Sequence, residues 1–382
     1  MIWINFCRNG GKDACFFTFS HALFSISHLS MFLGEAVQFT RKIKGNTVPF
    51  TIVGWGHKPT ADKARCYALK HNLPYIALED GFLRSLDLGC KGAQPLSLVV
   101  DHTGIYYDAT GPSDLENLLN GSGGDSEGQL QSAQHAIEAI KRHDLSKYNH
   151  APRAAERLLG DASCPRVLIL DQTKGDTSVT LGRADAESFK AMLDDAQMRF
   201  PNARLFVKTH PDVLAGKKQG YLTEAAKRRG IAIIAQDVSP LSLLAQADVV
   251  YTVTSQMGFE ALLLGKEVHC FGMPFYAGWG ATHDRLTCPR RAKRRTAEEI
   301  FAAAPSVVTS MKPFGFWPPS VFRMNGIRGS THVLAFPDGN VLIPGPFCNR
   351  PREPSVFFLI GGKPSNGRKQ TAAMSWYGRP NA

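Results

Sequence analysis

Five short apolar runs, rich in β-branched and aromatic residues, recur between residues 167 and 271: Val167-Leu-Ile-Leu, Leu205-Phe-Val-Lys, Ile231-Ala-Ile-Ile, Val249-Val-Tyr-Thr-Val and Val268-His-Cys-Phe. Between them Ala184–Met198, Gly220–Arg229, Pro240–Ala247 and Gly258–Leu264 read as helices. Strands apolar along their whole length are buried on both faces, and their alternation with helices is the pattern of a parallel sheet covered on both sides. This pattern limits the chain to an α/β fold.

The first half repeats the pattern less cleanly. Phe50–Gly56 reads as a strand running into a glycine turn, followed by a helix over Thr60–His71 that keeps Ala61, Ala64 and Ala68 on one face. A second strand, Tyr75–Leu78, ends in Glu79-Asp80-Gly81. Leu96–Val100 and Gly104–Asp108 are expected to form a hairpin across His102-Thr-Gly. Ser113 is a helix-cap candidate with Glu116 at the capping-box position, and Gln129–Arg142 reads as a helix. The segment from Asp144 to Pro165 has no strand pattern and reads as the connection between domains. The architecture expected is two Rossmann-like domains facing a cleft: 1–160, then 161–305, then an atypical Pro/Gly-rich basic tail over 306–382.

Composition narrows the partners. The chain has 382 residues, a formal charge of +11 and a pI near 9.3, which favours an anionic partner. Residues 311–382 hold nine Lys/Arg against two Asp/Glu, so +7 of that excess lies in the tail and only +4 in the first 310 residues. With no zinc-finger, helix-turn-helix or RNP pattern, a nucleic-acid partner is not expected. The eight cysteines include no C-x-x-C pair, as expected of reduced cytosolic thiols. Phe16–Leu33 is apolar but interrupted by serines and histidines, and is expected to be a core helix, not a membrane span.

In open α/β sheets ligands bind beyond the carboxyl ends of the strands, which directs attention to four places. Glu79 and Asp80 are adjacent acids at one strand end; they are either solvated turn residues or held for chemistry. Asp171-Gln172-Thr-Lys-Gly-Asp176-Thr-Ser178 follows another strand, where a plain turn is the competing reading. His210, extended by Pro211 and close to Lys208, could serve an anion. Ser255-Gln256 opens a helix, where capping and phosphate binding are compatible. The basic run Pro289–Arg295 is expected to be a solvated face, or a surface for acidic lipids.

Taken in order, GWGHKPTADKAR (54–65), LEDGFLRS (78–85), PLSLVVDHTGIYYDA (95–109), DQTKGDTS (171–178), VKTHPDV (207–213) and TSQMGFEALLLGKEVHCFGMPFYAGWG (254–280) closely resemble the KpsC-type capsule polysaccharide biosynthesis family. The resemblance runs over roughly residues 28–305. It implies a GT-B-like fold and retaining transfer of 3-deoxy-manno-oct-2-ulosonic acid (Kdo) from CMP-β-Kdo. The acceptor implied is a lysophosphatidylglycerol-linked chain, extended into the oligo-Kdo linker for capsule export. Members commonly carry two such modules; this chain holds one, more similar to the first. From about Ala304 the pattern breaks, and the last 72 residues hold ten prolines and nine glycines with little helical or strand period.

The resemblance also implies roles. Asp176 would be the nucleophile of a double displacement and Glu79 the general acid/base, with Asp80 as the second candidate. Arg84 would pair with the Kdo carboxylate, an ion pair with Asp87 being the alternative. Lys208 and His210 would hold the CMP phosphate, Gln172, Ser255 and Gln256 would contact the substrate, and Glu260 the ribose. No cofactor beyond the CMP-Kdo donor is expected and no metal is required, since the chain has no Asp-x-Asp motif. The expected location is the cytoplasmic face of the inner membrane, peripherally bound, with capsule assembly proteins as further partners. Two other readings stay open: a sialyltransferase-like enzyme using another CMP-sugar, and a truncated module with a scaffolding role.

Overall fold

A computed structural model describes residues 16–310, apart from 28, 42, 44–49, 86, 90–91, 123–124 and 215, together with 334–335, 341–344 and 357–360. Residues 1–15 and most of the tail lie outside the described residues.

The first unit contains β1 (Phe16–Thr18), α1 (His21–Phe24), α2 (Leu29–Leu33), β2 (Val37–Phe39), β3 (Thr51–Trp55), α3 (Pro59–Lys70), β4 (Tyr75–Asp80), β5 (Ser97–Asp101), α4 (Asp114–Asn120) and α5 (Glu127–His143). The second contains β6 (Arg166–Leu170), α6 (Thr177–Leu181), α7 (Ala186–Arg199), β7 (Arg204–Lys208), α8 (Pro211–Leu214), α9 (Thr223–Arg228), β8 (Ala232–Ile234), α10 (Pro240–Leu244), β9 (Val249–Thr252), α11 (Gln256–Leu263), β10 (Glu267–Cys270) and β11 (His283–Asp284). Then α12 (Ala297–Ala303) and β12 (Val308–Ser310) complete the body.

The second sheet has the order β11-β10-β9-β6-β7-β8 and is parallel throughout. Its central strands β6 and β9 are almost wholly buried, which is why they read as unbroken apolar runs. The first sheet, β12-β5-β4-β3-β1-β2, is mixed: β4 pairs antiparallel with β5, and β5 antiparallel with β12. Two Rossmann-like domains of the GT-B-like class result.

Several expectations are corrected. Phe16–Leu33 is not one helix: β1 inserts between β2 and β3, and α1 and α2 follow as single turns, with Ser20 capping α1. No helix among the described residues is long and apolar enough to cross a membrane. The hairpin does not form either, because Asp101 takes the N–H groups of Thr103, Gly104 and Asp114 on one carboxylate oxygen at 2.8–3.1 Å, curling the chain away from the sheet. In the tail, Leu334–Ala335, Val341–Pro344 and Phe357–Ile360 pair as a small antiparallel sheet, where no strand period was expected.

The basic run is a solvated face only in part: Lys293 and Arg294 are exposed, whereas Arg291 and Arg295 are buried. Arg290 and Arg291 both reach Glu116 of α4, at 2.7 and 3.1 Å, and Arg291 and Glu116 are each more than 90% buried. Glu116 accepts these two cations with its carboxylate instead of closing a capping box, although Ser113 does cap α4. Arg290 also donates to the carbonyl of Ala109, Arg291 to that of Pro274, and Arg295 to those of Leu119 and Gly121. The run that leaves the second unit thus fastens it to the first, and α12 continues onto α5 while β12 adds the last strand of the first sheet.

Removing one partner of a buried ion pair strands the other charge without water, at a cost of about 3–5 kcal/mol. Glu116→Ala is therefore expected to lose about that much stability in guanidinium unfolding. A loss within measurement error would show that the arginines find full compensation elsewhere.

Candidate functional site

A cleft of about 400 Å³ opens between the two sheets. Its walls come from residues at or just beyond the carboxyl ends of β3, β4, β6, β7 and β9: Lys58, Glu79, Asp171–Thr173, Asp176–Ser178, His210 and Thr254–Gln256. Pro274 and Phe275 of the loop after β10 close one side.

On the first-unit wall, Glu79 ends β4 with Oε1 accepting from Trp55 Nε1 at 3.0 Å and from the backbone N–H of Asp80 at 3.1 Å. Burial raises its pKa above the ordinary glutamate value, against the opposing pull of Lys147. Asp80 behaves differently. Its Oδ1 is paired with Arg84 Nε at 2.6 Å, and Arg84 also donates to Ser85 and to the carbonyl of Ala93. Neither Asp80 nor Arg84 lines the cleft. The partner of Arg84 is therefore Asp80, and its guanidinium is buried away from any sugar carboxylate in this arrangement.

Two glycines make this geometry possible. A Cβ on Gly56, whose φ is +43°, would lie 2.2 Å from Tyr107 Oη and 2.9 Å from Glu79 Oε2. A Cβ on Gly81 would lie 2.0 Å from Ser97 Oγ, so that glycine serves a close approach of β5, not a positive φ. Phe82 then leaves the turn towards the other unit and packs on Tyr106 and Phe275 at centroid distances of 5.1 and 5.0 Å.

On the second-unit wall, Asp176 caps α6, its Oδ1 accepting from the N–H and the hydroxyl of Ser178 at 3.0 and 2.9 Å. Its Oδ2 receives Gln172 Nε2 at 3.2 Å. Gln172 also accepts from the Thr254 N–H at 2.9 Å, tying the β6 loop to the start of α11. Asp171 secures the base of that loop by accepting the N–H groups of Tyr221 and Leu222 at 2.9 and 3.1 Å. Ser255 caps α11, and Gln256 spans the cleft to donate to the carbonyl of Phe82 at 2.8 Å. His210 Nδ1 accepts the N–H of Asp212 at 3.1 Å, and its pKa is lowered, mainly by burial.

Lys208 and Glu260 do not line the cleft. Lys208 Nζ donates to the carbonyl of Thr209 at 2.8 Å, and burial lowers its pKa to about 8. Glu260 is buried one turn into α11 and accepts the hydroxyl of Ser146 at 2.7 Å. Sequence reasoning placed both by neighbourhood along the chain, which does not fix the direction of a side chain. It also passed over Lys58, Tyr106, Tyr107 and Lys147, which do line the cleft. The Tyr-Tyr pair lay in a hairpin reading that would have alternated the two rings between faces.

Burial raises the Glu260 pKa from 4.5 to about 7. The folded carboxyl thus keeps its proton where the unfolded one has lost it, so folding stability falls as pH rises across that interval, by roughly 3 kcal/mol. Glu260→Gln is expected to gain on the wild type between pH ~5 and ~8 in urea unfolding. A constant difference between the two proteins across that range would contradict the shift.

The family described as "Capsule polysaccharide biosynthesis protein" matches residues 51–311. The capsule polysaccharide modification protein LipA of Neisseria meningitidis serogroup B is 48% identical over 293 residues, 75% of this chain and 41% of LipA. The lipopolysaccharide-processing protein LpsZ of Rhizobium meliloti is 38% identical over 257 residues, 67% of this chain and 58% of LpsZ. The chain thus spans about two fifths of the one relative and three fifths of the other. Among solved structures, the Thermosulfurimonas dismutans KpsC beta Kdo 2,4 transferase superposes with a TM-score of 0.71 at 48% identity, covering 76% of this chain and 89% of that one. The beta Kdo 2,7 transferase of the same KpsC gives 0.57 at 28%, covering 77% and 92%.

Proposed function

The chain belongs to the capsule polysaccharide biosynthesis family, and from that premise we propose that it is a retaining β-Kdo glycosyltransferase that moves Kdo from CMP-β-Kdo to a lysophosphatidylglycerol-linked acceptor. The higher identity to the beta Kdo 2,4 transferase than to the 2,7 transferase, 48% against 28%, favours attack by an acceptor 4-hydroxyl. The product is a segment of the oligo-Kdo linker for capsule export. Work on a lipid-linked acceptor places the protein peripherally on the cytoplasmic face of the inner membrane, with capsule assembly proteins as neighbours.

The observation that carries the mechanism is that one cleft holds Glu79, a carboxylate whose pKa burial raises, and Asp176, oriented through both carboxylate oxygens, on opposite units. In the first step Asp176 attacks C2 of Kdo, the C2–O bond to CMP breaks, and CMP leaves with the bonding electrons. Gln172 orients the Asp176 carboxylate, while Ser178 and the α6 cap fix its other oxygen. His210 and the N-terminal N–H groups of α11 face the departing phosphate. In the second step Glu79 accepts the proton of the acceptor hydroxyl as its oxygen displaces Asp176 from C2, restoring the configuration. Lys58 and Lys147 supply positive charge on the acceptor-side wall for the sugar carboxylates.

Asp176→Ala is expected to lower transfer from CMP-Kdo by about 10³-fold or more, with the donor still bound in calorimetry. Wild-type turnover in that variant would remove the nucleophile assignment. Because Glu79 must be ionised to take a proton and burial raises its pKa, the acid limb of the rate profile should lie above the ordinary glutamate range. Glu79→Gln should abolish that limb along with most of the rate; an unchanged limb would assign it to another group.

A further inference from the structure

At the far edge of the second sheet, away from the cleft, three ligating side chains converge. Glu267 and His269 are two apart on β10 and so share one face of the sheet. His283 on β11 is the in-register parallel partner of His269, which puts it on that same face one strand across. The two imidazoles stack at a centroid distance of 4.6 Å with planes 21° apart. Glu267 Oε1 lies 2.7 Å from His269 Nε2 and 3.7 Å from His283 Nε2. One ligand atom from each residue falls within 4.8 Å of the others.

We propose that Glu267, His269 and His283 form a binding site for a divalent transition metal of the zinc class, independent of the transfer reaction. Ligand atoms about 2.0–2.1 Å from a tetrahedral zinc sit roughly 3.3 Å from one another. The two carboxylate–imidazole distances, 2.7 and 3.7 Å, bracket that spacing, and rotation of the exposed His283 ring out of its stack on His269 would complete three corners and leave the fourth for water. Two imidazoles and one carboxylate suit zinc, nickel or copper over magnesium or calcium, which take oxygen ligands. The central ligand is already oriented: the ring of Tyr251 stacks on His269 at 4.4 Å and 4°, and Tyr251 Oη is anchored by Asp195 at 2.9 Å. Such support around a ligand sharpens metal affinity.

The consequence is structural. β11 is only two residues long, and it ends the loop from Phe271 to Thr282 that carries Pro274 and Phe275 into the cleft. Glu267 and His269 precede that loop and His283 follows it, so a bound metal would clasp its two ends together.

The test uses the full chain, stripped with EDTA and desalted. Zinc chloride alone is expected to bind with one strong equivalent in calorimetry and to raise Tm by about 2–4 °C at saturation. Cobalt chloride should give the visible absorption of a tetrahedral N/O site. His283→Ala, at a side chain 65% exposed, should retain the wild-type far-UV circular dichroism and weaken zinc binding about 10–100-fold. His102→Ala, on the exposed surface of the other unit, should bind zinc as the wild type does. Equal zinc affinity in wild type and His283→Ala, or no binding by the wild type at about 100 μM metal, would overturn the proposal.

Discussion

The contact of the buried Glu116 with Arg290 at the surface and Arg291 in the interior is the interaction on which the shape of the cleft depends. Charges are excluded from interiors unless they are paired and hydrogen-bonded, and here both conditions are met. Arg291 Nη1 donates to the carbonyls of Pro274 and Ala277, so the same side chain that holds the first unit also holds the loop bearing Phe275. Phe275 in turn meets Phe82 and Tyr106 of the opposite unit. One guanidinium is thus continuous, through a single loop, with the aromatic floor of the cleft.

Within that frame, two neighbouring acids acquire different characters. Asp80 is paired with Arg84 at the turn, whereas Glu79 is drawn out of water with an indole N–H, a backbone N–H and the more distant Lys147 and Lys58 to favour its charge. A residue spacing of one cannot distinguish them. The alternation of side chains across the strand does: it turns one carboxylate toward the cleft and the other toward the Arg84 turn. The ambiguity in LEDGFLRS is resolved by the pleat, not by the order of the letters.

The elements most legible in the sequence were those whose burial is symmetrical. β6, β9 and β10 announce themselves because both faces are covered; α5 and α7 are legible in their bodies, while their first residues are set by Ser126 and Asp185, which cap them with their own side chains. Legibility fails where a side chain outcompetes the local pattern. Asp101 captures three backbone donors and ends a hairpin that alternation alone would predict. Arg290, Arg291 and Arg295 look like a solvated run until α4 supplies its carbonyls and Glu116, about 170 positions earlier in the chain. The same limit governs the site. Asp176, His210 and Ser255 could be placed at strand ends, but the burial of Glu260 beneath Ser146 and the capture of Lys208 by a carbonyl are three-dimensional facts.

Because β12 returns to pair with β5, the second unit is threaded as an insertion in the first and is joined to it by two chain segments, one before β6 and one after β11. A body held by one tether can swing and twist freely, whereas a body held by two keeps mainly the rotation about the line between them. Any swing of one unit on the other is accordingly restricted to a door's rotation, whose pins are the segment around Lys147 and the arginine run.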